Sequence, residues 1–220
     1  MPVRDQRHPS RDNYSGAVPM TRCNWIYVGF ESMLERDWVI QEDAFRFDLL
    51  EVEDQPLEIR YWFDGRYRTW IPDFLKRVKS TKRACLVEVK TLRVLYPADK
   101  RKRAWVHGKW KAIEQAASKH FDFELATENE IRVMPRLYNA ALMTRSFDRH
   151  SAERLCWTGM EAIVALPAKA SVRDLQAKLG SQEDALSVAL QLAWRGVIRL
   201  DPSIRWSMDT SFVRTSRPLS

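Results

Sequence analysis

Two carboxylates and a lysine are spaced closely along residues 70–90, WIPDFLKRVKSTKRACLVEVK. Asp73 lies near the start of this stretch, and Glu88 and Lys90 flank Val89 at its end. The run ACLVEVK predicts a buried strand, in which Glu88 and Lys90 share one face while Val89 points into the core. A carboxylate and an ammonium fixed side by side on an apolar strand are costly unless they pair or meet a ligand.

Metal binding is the chemistry that these groups suit best. We expect Asp73 to close a preceding strand and to reach the same point as Glu88. Their carboxylates and the Val89 carbonyl are hard oxygen ligands of the kind that Mg²⁺ takes, and Lys90 would then hold or polarise a metal-bound water. The alternative is an Asp at a strand end and a Glu–Lys pair on a solvated face. The sequence leaves it open, but the combined pattern favours the metal site.

The charge distribution points to an anionic partner. The net charge is +7, and thirteen bases but only two acids lie between Lys76 and Lys111, after an acidic block from Glu31 to Phe74. A candidate site at the junction of the two blocks suits a metal held next to a phosphate backbone, although a solvated charged surface is the alternative. The predicted DNA-binding residues are Arg66, Arg68, Lys76, Arg77, Lys79, Lys82, Arg83, Lys100, Arg101, Lys102, Arg103, Lys109 and Lys111.

Other kinds of chemistry find little support in the sequence. The three cysteines are isolated and odd in number, which argues against a disulfide framework or a zinc site and favours a reducing, cytosolic setting. The four histidines lack metal-binding spacing, and no phosphate-binding glycine loop is present, so zinc chemistry and nucleotide hydrolysis are disfavoured. There is neither a run of 18 apolar residues nor a signal peptide.

The elements before the candidate site must bring a third carboxylate toward it. Residues 1–27 show no periodicity and predict a mostly extended basic arm. A helix is predicted from Met33 to about Asp43, with Ser32 as its N-cap and Glu35 completing a capping box. Glu35 is therefore either a helix cap or a carboxylate of the site, and the two roles are compatible. A hairpin turning at Asp64-Gly65 is predicted to lead into Asp73.

The elements after the candidate site predict a βαβ unit. Residues 76–83 are expected to form a basic loop, followed by the Glu88/Lys90 strand, a helix over about 99–119 and a strand over 121–127. Basic residues 100–103 occupy the first turn of the helix, where they oppose the macrodipole, so we expect them to serve a ligand. A further helix is predicted over about 136–147.

The last part of the chain predicts three helices and one short hairpin. Ser151 is expected to cap the first helix, Gly180 to end the second, and the third to span 182–195. VIRL and IRWSM are expected to form the hairpin around residues 201–203. This is the order of a winged helix. Glu183-Asp184 would repel phosphates at the start of the third helix, so a protein-binding role is favoured over DNA binding.

The order of the candidate residues resembles the PD-(D/E)xK nuclease superfamily. The helix carboxylate Glu35 is followed by the strand-end Asp73 and by Glu88-Val89-Lys90. More narrowly, the motifs SMLERD, DQP, IPDFL, VEVK and ATENEI resemble those of TnsA-type transposon endonucleases, over about residues 30–131.

The resemblance implies an α/β restriction-endonuclease-like fold, a mixed sheet flanked by helices and followed by a small winged-helix-like domain. The expected domains are an arm over 1–27, a nuclease domain over 28–149, a winged-helix-like domain over 150–213 and a tail over 214–220. Members of this family cut the 5′ ends, the non-transferred strands, of a transposon. They work beside a DDE-type transposase, which processes the 3′ ends, and an AAA+ regulator.

The resemblance also implies roles for individual residues. Asp73 and Glu88 would bind Mg²⁺ or Mn²⁺, Lys90 would activate or position the water, and Glu35 would be the helix carboxylate. Some members carry Gln in place of Glu88, which leaves the number of metal ions open. Glu114 is a weaker candidate for a supporting role.

Three functions fit the sequence to different degrees. A metal-dependent endonuclease of a transposition complex accounts for the whole pattern. A non-catalytic factor that binds DNA and protein through a nuclease-like fold is the alternative, although the intact Asp73, Glu88 and Lys90 argue against decay. A winged-helix regulator would leave the Glu88/Lys90 strand without a role. Cut-site position, DNA sequence preference, targeting mode and oligomeric state are left open.

Overall fold

The computed structural model describes residues 14–147, 152–180 and 183–215. These residues form two compact units, which divide between Val133 and Met134. The expected arm over 1–13, the expected cap at Ser151 and most of the expected tail lie outside the described residues.

The first unit contains eight strands and four helices among its described residues. In chain order they are β1 (Gly16–Met20), β2 (Ile26–Phe30), α1 (Met33–Phe45), β3 (Leu49–Asp54), β4 (Ile59–Phe63), β5 (Arg66–Trp70), β6 (Phe74–Val78), β7 (Cys85–Val89), α2 (Leu92–Leu95), α3 (Lys100–Ala117), β8 (Asp122–Ala126) and α4 (Glu128–Ile131).

A four-stranded mixed sheet in the order β3-β6-β7-β8 is the centre of this unit. The strand pairs β3–β6 and β6–β7 are antiparallel, whereas β7 and β8 are parallel. The predicted βαβ unit is thus confirmed as β7-α3-β8. Phe74, Leu86 and Val87 are fully buried in the sheet, and the Trp38 ring on α1 stacks on Phe74 at a centroid distance of 4.6 Å. A mixed α/β unit with a sheet and helices agrees with the expected nuclease-like fold.

The predicted helices begin and end close to their expected residues. Ser32 caps α1, and its hydroxyl accepts a hydrogen bond from the Glu35 N–H. Asp99 caps α3 by accepting from the Lys102 N–H. The predicted hairpin turn is also confirmed, because Asp64 and Gly65 both have positive φ, as a type I′ turn requires. The hairpin β4–β5 forms a sheet of its own that packs on α3.

The expected arm is wrong for residues 16–27, which belong to the antiparallel hairpin β1–β2 packed on α1. Val18, Met20 and Val28 are buried there. The connection turns at Asn24 and Trp25, which both have positive φ. Because Asn24-Trp25 is not a standard turn sequence, the composition of this segment did not predict a hairpin.

The expected basic loop over 76–83 is wrong in its first half. Residues 74–78 form β6, a central strand of the sheet. Lys76 and Arg77 interrupt the apolar pattern of FLKRV, and the buried Lys76 is tolerated because it pairs with Glu124 at 2.7 Å. A strand with an ion-paired lysine inside it does not show the alternation on which the prediction depended.

The second unit contains four helices and a three-stranded antiparallel sheet among its described residues. They are α5 (Arg136–Ser146), α6 (Ala152–Val164), β9 (Lys169–Ser171), α7 (Val172–Leu179), α8 (Ala185–Trp194), β10 (Ile198–Leu200) and β11 (Ser211–Arg214). The sheet order is β10-β11-β9.

Three features of this unit differ from the sequence expectations. The strand β9 was not predicted, and the partner of β10 is Ser211–Arg214 instead of IRWSM. Helix α5, expected in the first domain, belongs to the second unit, where Asn139 donates to the Ile204 carbonyl and accepts from the Trp206 N–H. That buried Asn139 ties the segment before β11 to α5, so this segment does not pair as a strand.

Among the described residues, no helix combines the length and the apolar character needed to cross a membrane.

Candidate active site

Asp73, Glu88 and Lys90 meet at one edge of the mixed sheet. Asp73 directly precedes β6, and Glu88 and Val89 end β7. Since β6 and β7 are antiparallel neighbours, the start of β6 lies beside the end of β7. Asp73 therefore begins a strand, which corrects the expectation that it closes one, and its Oδ2 accepts a hydrogen bond of 2.7 Å from the Val89 N–H.

The ammonium group of Lys90 lies among three oxygen atoms. Its Nζ is 2.8 Å from Glu88 Oε1, 3.1 Å from Asp73 Oδ2 and 3.1 Å from the Val89 carbonyl oxygen. These are the atoms that the sequence analysis assigned to a metal site. The structure thus brings the two carboxylates, the carbonyl and the lysine together.

The carboxylate of Glu88 is fixed at both of its oxygens. Its Oε2 accepts a hydrogen bond of 2.7 Å from the Trp70 indole N–H at the end of β5, while Oε1 faces Lys90. Burial and the nearby charge of Asp73 raise the pKa of Glu88 to about 7. Burial also raises the pKa of Asp73, against the opposing effects of the Lys90 ammonium and the Val89 N–H.

Lys90 remains protonated in this setting. Burial alone would lower its pKa, but the carboxylates of Asp73 and Glu88 outweigh that effect and raise it. The ammonium therefore supplies the positive charge that two buried carboxylates need. Neither the Trp70 contact nor this sharing of one cation is visible in the sequence, because both depend on pairings between separate strands.

Glu35 lies beside the Ser32 cap at the start of α1, but its carboxylate accepts from the Glu31 N–H instead of the Ser32 N–H that the predicted capping box requires. Its Oε1 accepts from the Ser32 hydroxyl at 2.8 Å and its Oε2 from the Glu31 N–H at 2.7 Å. Burial and the negative charge of Asp73 raise the pKa of Glu35 to about 7, and the charge of Lys90 opposes this. The hydrogen bonds of Glu35 hold the start of α1, and the charges of Asp73 and Lys90 link it to the candidate site.

The oxygen atoms around Lys90 Nζ fit a hard divalent cation. Mg²⁺ is held in many proteins by one or two carboxylates, with waters and substrate phosphates completing its shell. Asp73, Glu88 and the Val89 carbonyl provide such a set. Within the described residues, no cluster of three or more His, Cys, Asp or Glu side chains has the geometry of a metal site. The fit therefore depends on two carboxylates and one backbone oxygen.

The predicted DNA-binding residues differ in their exposure to solvent. Lys76 is buried, with its Nζ 2.7 Å from Glu124 Oε2 and 3.6 Å from Glu42 Oε2, so it does not belong to an exposed basic surface. Most of the others are exposed, namely Arg66, Arg77, Lys79, Lys82, Arg83, Lys100, Arg101, Lys102, Arg103 and Lys111, while Arg68 and Lys109 are partly buried.

Some of the exposed bases also hold the fold together. Arg77 pairs with Glu51 at 2.8 Å, and Arg83 donates to the Ser118 and Phe121 carbonyls. Arg83 thereby joins the loop before β7 to the end of α3. Glu114, the weaker candidate, is exposed on α3.

Lys109 on α3 has a pKa that is influenced by charges of the candidate site. Burial lowers its pKa, the charge of Glu88 raises it, and Lys90 and Arg68 lower it further. Its ammonium lies over the Trp110 ring at 4.9 Å. The sequence grouped Lys109 with the other bases, and only the packing of α3 against the sheet separates it from them.

One protein family model matches the part of the chain that contains the candidate site. Residues 48–128 match the family model described as "TnsA-like endonuclease N terminal". The resemblance to a TnsA-like nuclease is confirmed. The matched TnsA-like segment runs from just before β3 to the start of α4, and it contains Asp73, Glu88 and Lys90, while Glu35 precedes it. No curated protein matches the chain.

Proposed function

We propose that the protein is a metal-dependent DNA endonuclease. The observation that supports this most directly is the convergence of Asp73, Glu88 and the Val89 carbonyl on one cation, the Lys90 ammonium. Buried carboxylates with raised pKa values, gathered beside a lysine at a sheet edge, are typical of sites that perform chemistry. The TnsA-like segment supports the same class of activity.

Each residue has a distinct role in the proposed reaction. Asp73, Glu88 and the Val89 carbonyl would hold Mg²⁺ or Mn²⁺, which when bound supplies positive charge to the phosphate oxygens and lowers the pKa of a bound water. Lys90 would orient the attacking water and stabilise charge on the phosphate, because its ammonium is already held at this point by three oxygens. Trp70 keeps Glu88 in position, and Glu35 fixes the start of α1 beside them.

The resemblance supports a place for the protein in a heteromeric transposase. In that setting it would cut the 5′ ends, the non-transferred strands, of double-stranded DNA at the transposon ends. A DDE-type transposase would process the 3′ ends, and an AAA+ ATPase would regulate the assembly. We place this activity in the bacterial cytoplasm, on the nucleoid.

A winged helix that binds protein is our proposal for residues from α6 to β11. The order helix, strand, helix, helix, strand, strand supports it, as does the three-stranded sheet β10-β11-β9. Asp184 caps α8 by accepting from the Leu186 and Ser187 N–H groups, and Glu183 pairs with Arg154. An acidic cap at the start of this helix disfavours phosphate contacts there.

Strand-specific cleavage by the reconstituted transposase tests the endonuclease proposal. With labelled transposon ends, we expect 5′-strand cutting to require the transposase, the regulator and Mg²⁺. Lys90→Ala should abolish that cut and leave 3′-strand cutting intact, whereas the control Lys119→Ala, which removes an exposed lysine just after α3, should retain both. A normal rate of 5′ cutting by Lys90→Ala would overturn the assignment and favour the non-catalytic assembly factor.

A further inference from the structure

The hairpin β4–β5 has one face in the core and one bare face. Its inner face carries Tyr61 and Trp70, which are buried with Ile113 and Ala117 of α3. Phe63 contacts the Trp105 ring at 5.3 Å, and a Cβ at Gly108 would lie 3.1 Å from the Phe63 ring. These contacts hold the hairpin closely against α3, so its other face is a fixed surface.

Two aromatic rings lie side by side on the bare face. Trp62 and Tyr67 are direct cross-strand partners, with ring centroids 4.9 Å apart and an edge-on arrangement. Although they touch each other, Trp62 is 58% exposed and Tyr67 is 65% exposed. Large rings at such exposure are suited to contact with a ligand, since they bury little area within the protein.

The charges around these rings suit a polyanion. Arg60 lies on the same face and is exposed, with its guanidinium 5.2 Å from the centre of the Tyr67 ring. The acid of the hairpin, Asp64, pairs with Arg68 at 3.1 Å. Aromatic rings interleaved with arginines are the arrangement that binds single-stranded nucleic acid, where bases stack and phosphates pair with cations.

We propose that the bare face of the β4–β5 hairpin is a stacking surface for unpaired DNA bases next to the cleavage site. The inference rests on the proposed nuclease function and adds the form of DNA that the site takes. Tyr67 is three residues from Trp70, which binds Glu88, so the stacking pair lies about 10 Å along β5 from the site. Bases within a duplex are already stacked on one another and cannot stack on these rings. The rings should therefore prefer unpaired bases of a frayed or displaced strand.

The direct test is fluorescence of 2-aminopurine in DNA, measured with the full chain in EDTA at about 50 mM salt, where phosphate contacts are strong. The probes are a single strand, a duplex with an unpaired tail and a blunt duplex, each with the fluorophore at matched positions. Stacking on Trp62 or Tyr67 should quench the fluorophore in the strand and in the tail but not in the blunt duplex.

Matched variants separate stacking from a structural role of the pair. Trp62→Leu and Tyr67→Leu keep apolar contact across the hairpin but remove a ring, and each should weaken strand binding about tenfold without changing the salt dependence. Trp62→Phe keeps a ring and should retain most of the binding. Trp157→Leu removes a Trp of similar exposure from α6 and should have no effect.

The outcomes distinguish this inference from the proposed function. Binding by the wild-type chain without quenching overturns the stacking surface alone, and this result needs no variant. The proposal is also overturned if Trp62→Leu and Trp62→Phe bind the single strand as tightly as the wild type. The two rings would then only stabilise the hairpin. An equal loss of affinity for the blunt duplex assigns the rings to duplex contacts and overturns the preference. If the wild type binds none of the three probes, the stacking surface is overturned, whereas the proposed endonuclease is decided separately by the reconstituted cutting reaction.

Discussion

Glu88 is held by Trp70 on one oxygen and by Lys90 on the other, and Asp73 shares the same lysine. This arrangement fixes the carboxylates before any metal is bound. Two carboxylates about 4 Å apart repel by roughly 4 kcal/mol at an effective dielectric constant of about 20. A single ammonium relieves part of that repulsion, and a divalent cation would relieve more.

We predict that Mg²⁺ stabilises the native state through these carboxylates. At about 100 times the Kd, binding adds about 2.7 kcal/mol to the free energy of unfolding, which corresponds to a rise in Tm of roughly 5–10 °C. Asp73→Ala and Glu88→Ala should lose that rise, while Glu161→Ala, which removes an exposed carboxylate on α6, should keep it. Thermal unfolding with and without Mg²⁺ measures the effect, and an unchanged rise in both site variants would place the metal elsewhere.

The raised pKa of Glu35 leads us to predict that the protein becomes less stable as the pH rises. Its pKa in the folded chain is about 7, above its ordinary value of 4.5, so the folded state binds more protons than the unfolded state between these values. The free energy of unfolding should therefore decrease as pH rises through this window, by up to roughly 3 kcal/mol from this group. Glu88 contributes in the same window and direction.

Glu35→Gln isolates the contribution of Glu35, because the amide oxygen can still accept from the Glu31 N–H while the amide NH2 can donate to the Ser32 hydroxyl oxygen. Urea unfolding at about pH 5 and about pH 8 should show a smaller loss of stability in this variant than in the wild type. Asp184→Asn, which changes a carboxylate that caps α8, serves as the control. An identical pH dependence in Glu35→Gln and the wild type would contradict the raised pKa.

At the scale of elements, α3 combines a structural face with a basic first turn. Ile113 and Ala117 are fully buried, while Lys100, Arg101 and Lys102 are exposed. Asp99 caps the helix through the Lys102 N–H, a backbone contact that does not need the lysine side chain. The basic first turn opposes the helix dipole, which fits a surface kept for binding anions.

We predict that the triple change of Lys100, Arg101 and Lys102 to Ala weakens DNA binding and leaves the fold intact. The slope of log K against log salt is negative, and each lost phosphate contact should reduce its magnitude by about 0.9, for all DNA sequences alike. Arg103 is retained because its guanidinium holds the Pro97 carbonyl. Fluorescence anisotropy over a range of salt concentrations measures the slope. Lys178→Ala on α7 is the control, and an unchanged slope in the triple variant would make this turn an ordinary solvated surface.

The elements that were predictable from the sequence are those with uninterrupted periodicity. The strand β7 and the helix α3 have regular apolar patterns, and the Asp64-Gly65 turn has a sequence that forces positive φ. The order of Glu35, Asp73, Glu88 and Lys90 was sufficient to group them. The strand β6 was missed because Lys76 is buried through an ion pair, and hydropathy cannot distinguish such a lysine from a solvated one.

Contacts across the sheet were beyond what the sequence alone could predict. The bond from Trp70 to Glu88 depends on where a separate hairpin ends relative to β7. The same holds for β1–β2, since its turn at Asn24 and Trp25 uses left-handed conformations without glycine. The Trp70–Glu88 bond joins two separate strands, and the Asn24-Trp25 turn lacks the residues that usually form such turns, so neither could be predicted from local composition.

At the scale of the whole molecule, all the candidate catalytic residues lie in the first unit, which ends at Val133. That unit has its own sheet and core. The second unit has a separate core around α8, where Val188, Ala189 and Leu192 are buried. Separate cores suit the proposed division of catalysis and recruitment between the two units.

We predict that removing residues 134–220 separates the two activities. The shortened chain should keep the Mg²⁺-dependent rise in Tm, because both carboxylates and their partners are retained. It should fail to bind the AAA+ regulator in a pull-down and should not support 5′ cutting in the reconstituted reaction. Retention of full regulator binding would place the docking surface on the first unit.

The parallel pairing of β7 with β8 has a practical consequence for dividing the gene. Glu35, Asp73, Glu88 and Lys90 all precede α3, but the strand that supports them, β8, follows it, and the Lys90 N–H bonds to the Ala126 carbonyl. A break in the exposed connection at Ala98 would leave one fragment with every candidate catalytic side chain and the other with β8. We expect neither fragment alone to cut DNA. If each fragment were expressed from its own promoter, the proposed nuclease would act only in cells where both promoters are active.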